Sequence, residues 1–333
     1  MTLHRATPGR AARAAHGLTI IEVMVSLVLG LLVVGAAALL FSGTRVANRQ
    51  GENLSRMAES VRTSYDMMAR EIREAGGAPC DARSNTANVL GAADWWATWG
   101  EPLRGFDGTT AFGGAAFGAA VGERVNGTHA IVVRYGQALD ALRVTAHDIA
   151  ANQITVLPAN HGIAAGDLLM MCDFRQMAVF SASSVSTAAG TINHAQGGTA
   201  PANCTANLGL PMVCAAGTPR QFAVGSLMAR FVVAGWYIGN NGRPETGGRS
   251  LYRVTRNGFE EVAEGVRDLQ LSFLPAAGAD YVAPGTVTDW GSVLAVRVDL
   301  VYESPEAAMS TASATARLQR PVGFTANLRN MMP

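Results

Sequence analysis

Apolar and polar positions divide the chain into three regimes. The first is an apolar run from Leu18 to Phe41 with a single charge, Glu22. A helix of that length covers roughly 36 Å at the standard rise, enough to cross a bilayer with some tilt. From Thr44 the text turns polar but stays periodic. Val46, Leu54, Met57, Val61, Tyr65, Met68 and Ile72 fall largely at steps of three and four, the stripe of an amphipathic helix. Gly76 and Gly77 then supply a C-terminal stop. The pattern predicts one helix from about Thr19 to Ala75, roughly 85 Å long, whose second half packs its stripe on a head.

The third regime has a different period. Runs rich in β-branched residues read as strands: "HAIVVRYG" (129–136), "ALRVTAH" (141–147), "QITVLPA" (153–159), "DLLMMCD" (167–173) and "QMAVFSASSV" (176–185). "SLMARFVVAGWYIG" (226–239), "SLYRVTR" (250–256), "VRDLQLSFLP" (266–275) and "SVLAVRVDLVYES" (292–304) follow. Turn residues separate them, as in a largely antiparallel sheet. "EEVAEGV" (260–266) reads as a short helix or turn. The fold class is therefore α+β: a long N-terminal helix packed on a largely antiparallel sheet. The divisions are 1–17 (a leader), 18–43 (the apolar helix), 44–76 (its amphipathic continuation), 77–127 (an irregular Gly/Ala/Trp-rich segment) and 128–333 (a β-rich head). In the irregular segment Trp95, Trp96 and Trp99 are candidates for a partner-binding anchor, though core closure is the more common role of such residues.

Composition sharpens this. The chain is 49% hydrophobic and 15% charged, and every basic residue is Arg. The absence of Lys excludes Schiff-base and P-loop chemistry. Arg5, Arg10 and Arg13 stand before the apolar run with no acid among residues 1–17, and the rest of the chain is slightly acidic. By the positive-inside rule the N-terminus stays cytoplasmic and the head is exported. The charge balance calls for no nucleic acid. Cys80, Cys172, Cys204 and Cys214 form no C-x-x-C pair, so disulfides in an exported head are favoured over a metal site. Three connectivities are open; the short loop "CTANLGLPMVC" favours Cys204–Cys214.

Glu22 discriminates between readings of the apolar run. A cleaved secretory signal has a shorter hydrophobic region, and a plain anchor leaves the acid unexplained. "GLTIIEVMVSLVLGLL" resembles the class III signal of type IV prepilins and type II secretion pseudopilins. The resemblance implies cleavage by a prepilin peptidase between Gly17 and Leu18, N-methylation of Leu18, and an assembly role for Glu22 at the fifth mature position. Leu18 departs from the family's usual Phe. Paired with the Leu18 amine of its own or an adjacent subunit, the Glu22 carboxylate would act as a register check in a filament core. "GDLLMMCDFRQMAVFSAS", "SLYRVTRNGFEEVAEGVRDLQLSF" and "VLAVRVDLVYES" resemble blocks of PilW-type minor pilins. In the second of these, Glu264, Gly265, Val266, Asp268 and Gln270 stand where that family has them, with Gly265 expected in a turn and Val266 and Leu269 in the core.

The function implied is that of a minor pilin taking part in pilus assembly and initiation, as a component of a tip complex. The implied partners are the prepilin peptidase, other minor pilins, the major pilin and the inner membrane, with a tip adhesin as a further candidate. The implied location is the inner membrane, single-pass with a periplasmic head, then the pilus fibre. A J-like minor pseudopilin of type II secretion is the alternative, and an anchored periplasmic enzyme or adhesin a more distant one. No cofactor and no catalytic role are expected. His129, His147, His161 and His194 show no metal-protease spacing, and no nucleophile or nucleotide motif is present. Cys172 with His161 is an example of a candidate Cys–His pair, and Asp167 and Asp173 lack a calcium-loop pattern.

Overall fold

The computed structural model describes residues 19–80, 84–91, 94–198, 201–214, 216–307 and 316–331. It divides into two compact units, residues 1–52 and 53–333. Helix α1 (Ile20–Glu74) begins within one residue of the predicted start and ends one residue before the predicted end. Thr19 caps it: the Glu22 amide donates to the Thr19 hydroxyl oxygen at 3.3 Å and to the Thr19 carbonyl at 3.1 Å. At the other end Gly76 adopts φ +74°, the left-handed cap that glycine takes at low cost. Its amide leaves the helix and donates to the Arg134 carbonyl at 2.8 Å.

Among the described residues fourteen strands follow. They are β1 (Thr86–Asn88), β2 (Leu103–Phe106), β3 (Ala130–Asp148), β4 (Gln153–Leu157), β5 (Leu168–Cys172), β6 (Met177–Ser181) and β7 (Ser184–Ser186). Then come β8 (Thr191–Asn193), β9 (Leu227–Asn240), β10 (Arg249–Thr255), β11 (Gly258–Glu264), β12 (Val266–Pro275), β13 (Val293–Glu303) and β14 (Gln319–Asn327). Strands β1 to β11 form one sheet, and β12, β13 and β14 form a second, three-stranded one. Every ladder between them is antiparallel except β1 with β6. The long strands β3 and β9 are the spine. β9 pairs with β3 along one edge; along the other it pairs with β5 at its start and β10 at its end. β3 pairs with β2 near its start and with β4 near its end.

Alternation along the spine separates the core into layers. Ile131, Val133 and Tyr135 of β3, with Ala234, Trp236 and Ile238 of β9, share a cluster with Met57, Met68 and Ile72 of α1 and with Leu269, Leu271, Val296 and Val298 of the small sheet. Ala130, Val132, Phe231, Val233 and Tyr237 face the opposite layer. A third cluster lies at the β4–β5–β6–β8 end, around Ile154, Val156, Phe180 and Ile192.

Several expectations are corrected. In the predicted stripe, Met57, Met68 and Ile72 are buried and Val61 packs on their cluster, but Val46 and Leu54 are exposed. Tyr65 is partly exposed and meets Phe324 edge-on at 5.0 Å. The buried face instead takes in polar positions, Asn53, Ser64 and Glu71. The two runs at 129–136 and 141–147 are one strand, β3, with a break in its register against β9 between Ala138 and Arg143. "EEVAEGV" is neither helix nor turn for most of its length: residues through Glu264 belong to β11, the second arm of a hairpin turned at Arg256 and Asn257. Arg253 lies opposite Glu260 in that hairpin, so the acids on β11 answer a basic neighbour strand. Only Gly265 turns, at φ +74°, where a Cβ would lie 2.7 Å from the Glu303 carbonyl oxygen. Strand β14 was not predicted.

The segment 77–127, expected to be irregular, contains β1 and β2 and is organised by two buried arginines. Arg124 donates to the carbonyls of Thr110, Asp107 and Thr128, at 2.9, 2.6 and 2.6 Å. Arg134 donates to the carbonyls of Glu101 and Trp95, at 2.9 and 3.0 Å. Burial lowers both guanidinium pKa values to about 10, still well above neutrality, so both stay charged. Each cation thus stands in for the ladder partners that loop carbonyls lack.

The closest link between helix and sheet is polar. The buried Glu71 carboxylate accepts from Trp236 Nε1 at 2.7 Å, from Arg253 Nε and Nη2 at 2.9 and 2.8 Å, and from the Tyr135 hydroxyl at 3.2 Å. Burial alone would lower the Arg253 pKa, but its bonds to Glu71 and Glu260 outweigh that and raise it. Removing the acid strands a half-buried cation and two buried donors, a class of loss worth about 3–5 kcal/mol. Glu71→Ala is therefore expected to lower the unfolding free energy of the detergent-solubilised chain by about that amount, read as a lower urea midpoint at unchanged m. Glu71→Gln, which keeps an acceptor, is expected to lose less. Equal midpoints for wild type and Glu71→Ala would contradict this account.

Candidate assembly surface

The most unusual surface lies on the first unit. From Ile20 to Phe41 every large apolar side chain is between 43% and 81% exposed. The apolar stretch passes the length and composition test for a membrane span, and none of it is buried within the protein. A face of this extent, apolar all round, is unstable against water and needs lipid or other protein around it. Its few polar groups are already satisfied in a way that suits such surroundings. Ser26 donates to the Val23 carbonyl and Ser42 to the Leu39 carbonyl, each at 2.9 Å, and Thr44 donates to the Phe41 carbonyl at 3.0 Å. Gly30, Gly35 and Gly43 have no atom within 4 Å of where a Cβ would stand, so they form notches at which another backbone can approach. Arg45 lies over the Phe41 ring at 4.3 Å, closing the apolar stretch with a cation.

Glu22 is the exposed acid of this surface. Its helix position gives it a local role that reading for charge alone missed. Thr19-Ile20-Ile21-Glu22 has the T-x-x-E order of a capping box, with Thr19 as cap and Glu22 in the first turn, where free amides and the helix dipole favour a negative charge. The cleavage pair Gly17 and Leu18 lies outside the described residues.

On the second unit the four cysteines pair as Cys80–Cys172 and Cys204–Cys214. The first ties the exit of α1 to β5; the second closes the short loop. Cys172 therefore offers no thiol to His161, whose Nδ1 accepts from the Ile163 amide at 3.2 Å. Asp173 caps a turn through the amides of Arg175 and Gln176 and pairs with Arg220 at 2.5 Å; Asp167 accepts from the Ala164 amide and faces Arg230 at 3.6 Å. Both acids serve turns. Among the described residues no group of three or more His, Cys, Asp or Glu side chains could hold a metal. Trp95 and Trp99 close over core rings, edge-on to Phe112 at 5.9 Å and to Phe231 at 5.7 Å.

The structure brings together two histidines that the sequence keeps 47 residues apart. His147 Nδ1 accepts from the Phe222 amide at 3.0 Å, so its proton sits on Nε2. That proton points at His194 Nε2, 3.0 Å away, and His194 Nδ1 donates to the Ala206 carbonyl at 3.0 Å. One relay of neutral rings thus joins β3, the strand exit after β8, and the loops at 206 and 222. No spacing motif announces such a pair.

Comparison of the chain with known protein families, curated proteins and solved structures found no match to any of them.

The relay has a pH consequence. Burial, and then the neighbouring His147, lower the His194 pKa from 6.5 to about 4, and burial lowers that of His147. Below pH 6.5 the unfolded chain takes up a proton that the folded chain refuses until about pH 4. The His194 contribution is therefore complete above pH 6.5 and is lost as pH falls from 6.5 to 4, on the order of 3 kcal/mol. Urea midpoints measured at pH 7.5 and 4.5 are expected to differ in that direction, and by less in His194→Leu. An identical pH dependence in the variant would remove the relay from the explanation.

Proposed function

We propose that this chain is a membrane-anchored structural subunit of a helical filament, a type IV minor pilin resembling the PilW type. The observation that carries the reading is the division of labour along α1. Its apolar part is exposed on all sides, while Met57, Met68, Glu71 and Ile72 belong to a disulfide-bonded β-rich unit. An apolar helix that serves first as a membrane anchor and then as a filament core needs such a surface. The leader with its three arginines, the Gly17–Leu18 junction and Glu22 are the further support, and two disulfides suit an extracytoplasmic head.

On this reading prepilin peptidase cuts after Gly17, and Leu18 becomes a methylated N-terminus. The chain then joins other minor pilins and the major pilin at the start of a fibre. The new amine lies four residues from Glu22, within the same apolar surroundings. Amine and carboxylate are each costly there alone and offset part of that cost when paired, so mis-registered neighbours would leave both unpaired.

Mass spectrometry of the protein from filaments is expected to show Leu18 as N-terminus with one added methyl group. An intact leader, or a terminus near residue 38, would overturn the reading. Two substitutions separate register from capping. Glu22→Gln keeps a side chain suited to the capping box but carries no charge, so its incorporation into filaments is expected to fail as completely as that of Glu22→Ala. Normal incorporation of Glu22→Gln would leave the acid with the capping role alone.

A further inference from the structure

On the β-rich unit, the turn of the β10–β11 hairpin and the tryptophan segment border a cleft that no role described so far uses. Its inner part, about 280 Å³, is lined by Trp96, Arg230, Arg253, Thr255, Arg256 and Asn257 among others. A second hollow of about 680 Å³ shares Trp96, Arg256 and Asn257 with it and is lined also by Asp94 and Asn203. Those three shared residues border both hollows, which we treat as two parts of one groove.

The charges in the groove are unequal in what they have left to offer. Arg253 is bound to Glu71 and Glu260, and Arg230 donates to the Gly162 carbonyl and faces Asp167. Arg256 is half-buried, and among the described residues it has neither a hydrogen bond nor an ion pair. A partly desolvated guanidinium without a partner is a costly group, and a bidentate carboxylate is the ligand its fork fits best. Trp96 stands beside it. Like Trp95 and Trp99 it is partly covered by the core, but unlike them it meets no other ring among the described residues, and its indole N–H has no acceptor there. An aromatic face next to a free cation, with the Asn257 side-chain amide and the Thr255 hydroxyl at the rim, matches a ring that carries hydroxyls, an apolar C–H face and one carboxylate.

We propose that this groove binds an acidic saccharide, with Arg256 taking the carboxylate and Trp96 stacking on the sugar face. The open, two-part shape suits a segment of a chain better than a single enclosed sugar. A phosphodiester strand fits less well, because such backbones are held by several cations along a track. Here one arginine is free, and Asp94 and Asp167 line the same walls. The site does not depend on the filament reading: it lies wholly within residues 53–333 and its test needs no assembly.

The experiment uses the full chain in nonionic detergent and follows tryptophan fluorescence on titration. The probes are tetragalacturonate, its methyl ester, sialyllactose and oligothymidylate. Saturable binding of tetragalacturonate or sialyllactose is expected, and whichever binds more tightly distinguishes a uronic-acid polymer from a terminal sialic acid. The methyl ester should bind about ten- to a hundred-fold more weakly than tetragalacturonate if that is the ligand, the loss expected for a hydrogen bond to a charged group. Arg256→Gln should weaken binding of the acidic sugar by a similar factor, and Trp96→Ala by about ten-fold or more, both with unchanged thermal midpoints. If Trp96→Ala lowers the midpoint, Trp96→Phe, which keeps a stacking face, should retain most of the affinity. The proposal is overturned if neither acidic sugar binds, if Arg256→Gln binds as wild type does, or if oligothymidylate binds more tightly than both sugars.

Discussion

The interaction on which the β-rich unit depends is a carboxylate taken out of water. Glu71 sits on the buried face of α1, where an unpaired charge would cost several kcal/mol. It is tolerated because four donors from three strands converge on it: Tyr135 from β3, Trp236 from β9, and two guanidinium nitrogens of Arg253 from β10. Hydrophobic contact is non-directional and would allow the helix to slide or rotate over the sheet. Directional bonds to one carboxylate allow neither without loss. Met68 and Ile72 lie on the same buried face of α1 as Glu71, and the carboxylate ties that face to β3, β9 and β10.

The same logic recurs in the segments without regular structure. A loop must satisfy its backbone carbonyls without a ladder. Arg124 and Arg134 do this by reaching inward and binding five carbonyls between them, with Arg124 also over the rings of Phe112 and Phe117. A chain that uses arginine as its only basic residue has in each such side chain a planar fork with five donors, where an ammonium would offer three around a point. Long Gly- and Ala-rich insertions are thereby held in place with little hydrophobic surface of their own. The neutral relay from Phe222 through His147 and His194 to Ala206 is the uncharged version of the same device.

The two units meet opposite solvent conditions. Residues 53–333 bury apolar side chains in three clusters, and two disulfides tie the exit of α1 to β5 and close the 204–214 loop. The apolar part of α1 buries nothing within the protein. Its serines and threonine bond back to the helix, and its notches are glycine. Such a surface is complete only in contact with lipid or with other helices, and that is what the proposed role would provide.

The sequence by itself determined the elements whose cause is local. The helix bounds follow from the apolar run, the stripe and the paired glycines, and they fell within a residue of the structure. The core strands follow from runs of β-branched residues, and the Cys204–Cys214 loop from its shortness. Gly265 in a turn, with Val266 and Leu269 buried, also agrees with the structural reading of those residue types. Only the tertiary structure decided the rest, because its causes are distant in the chain. The acidic run of β11 is a strand because β10 places Arg253 opposite it. β14 pairs along an edge that no pattern of its own announces. Glu71 and Arg253 are 182 residues apart and His147 and His194 are 47 apart. A buried polar group takes its meaning from its partners, and periodicity says nothing about partners; that is why the apolar skeleton could be read from the sequence and the polar network could not.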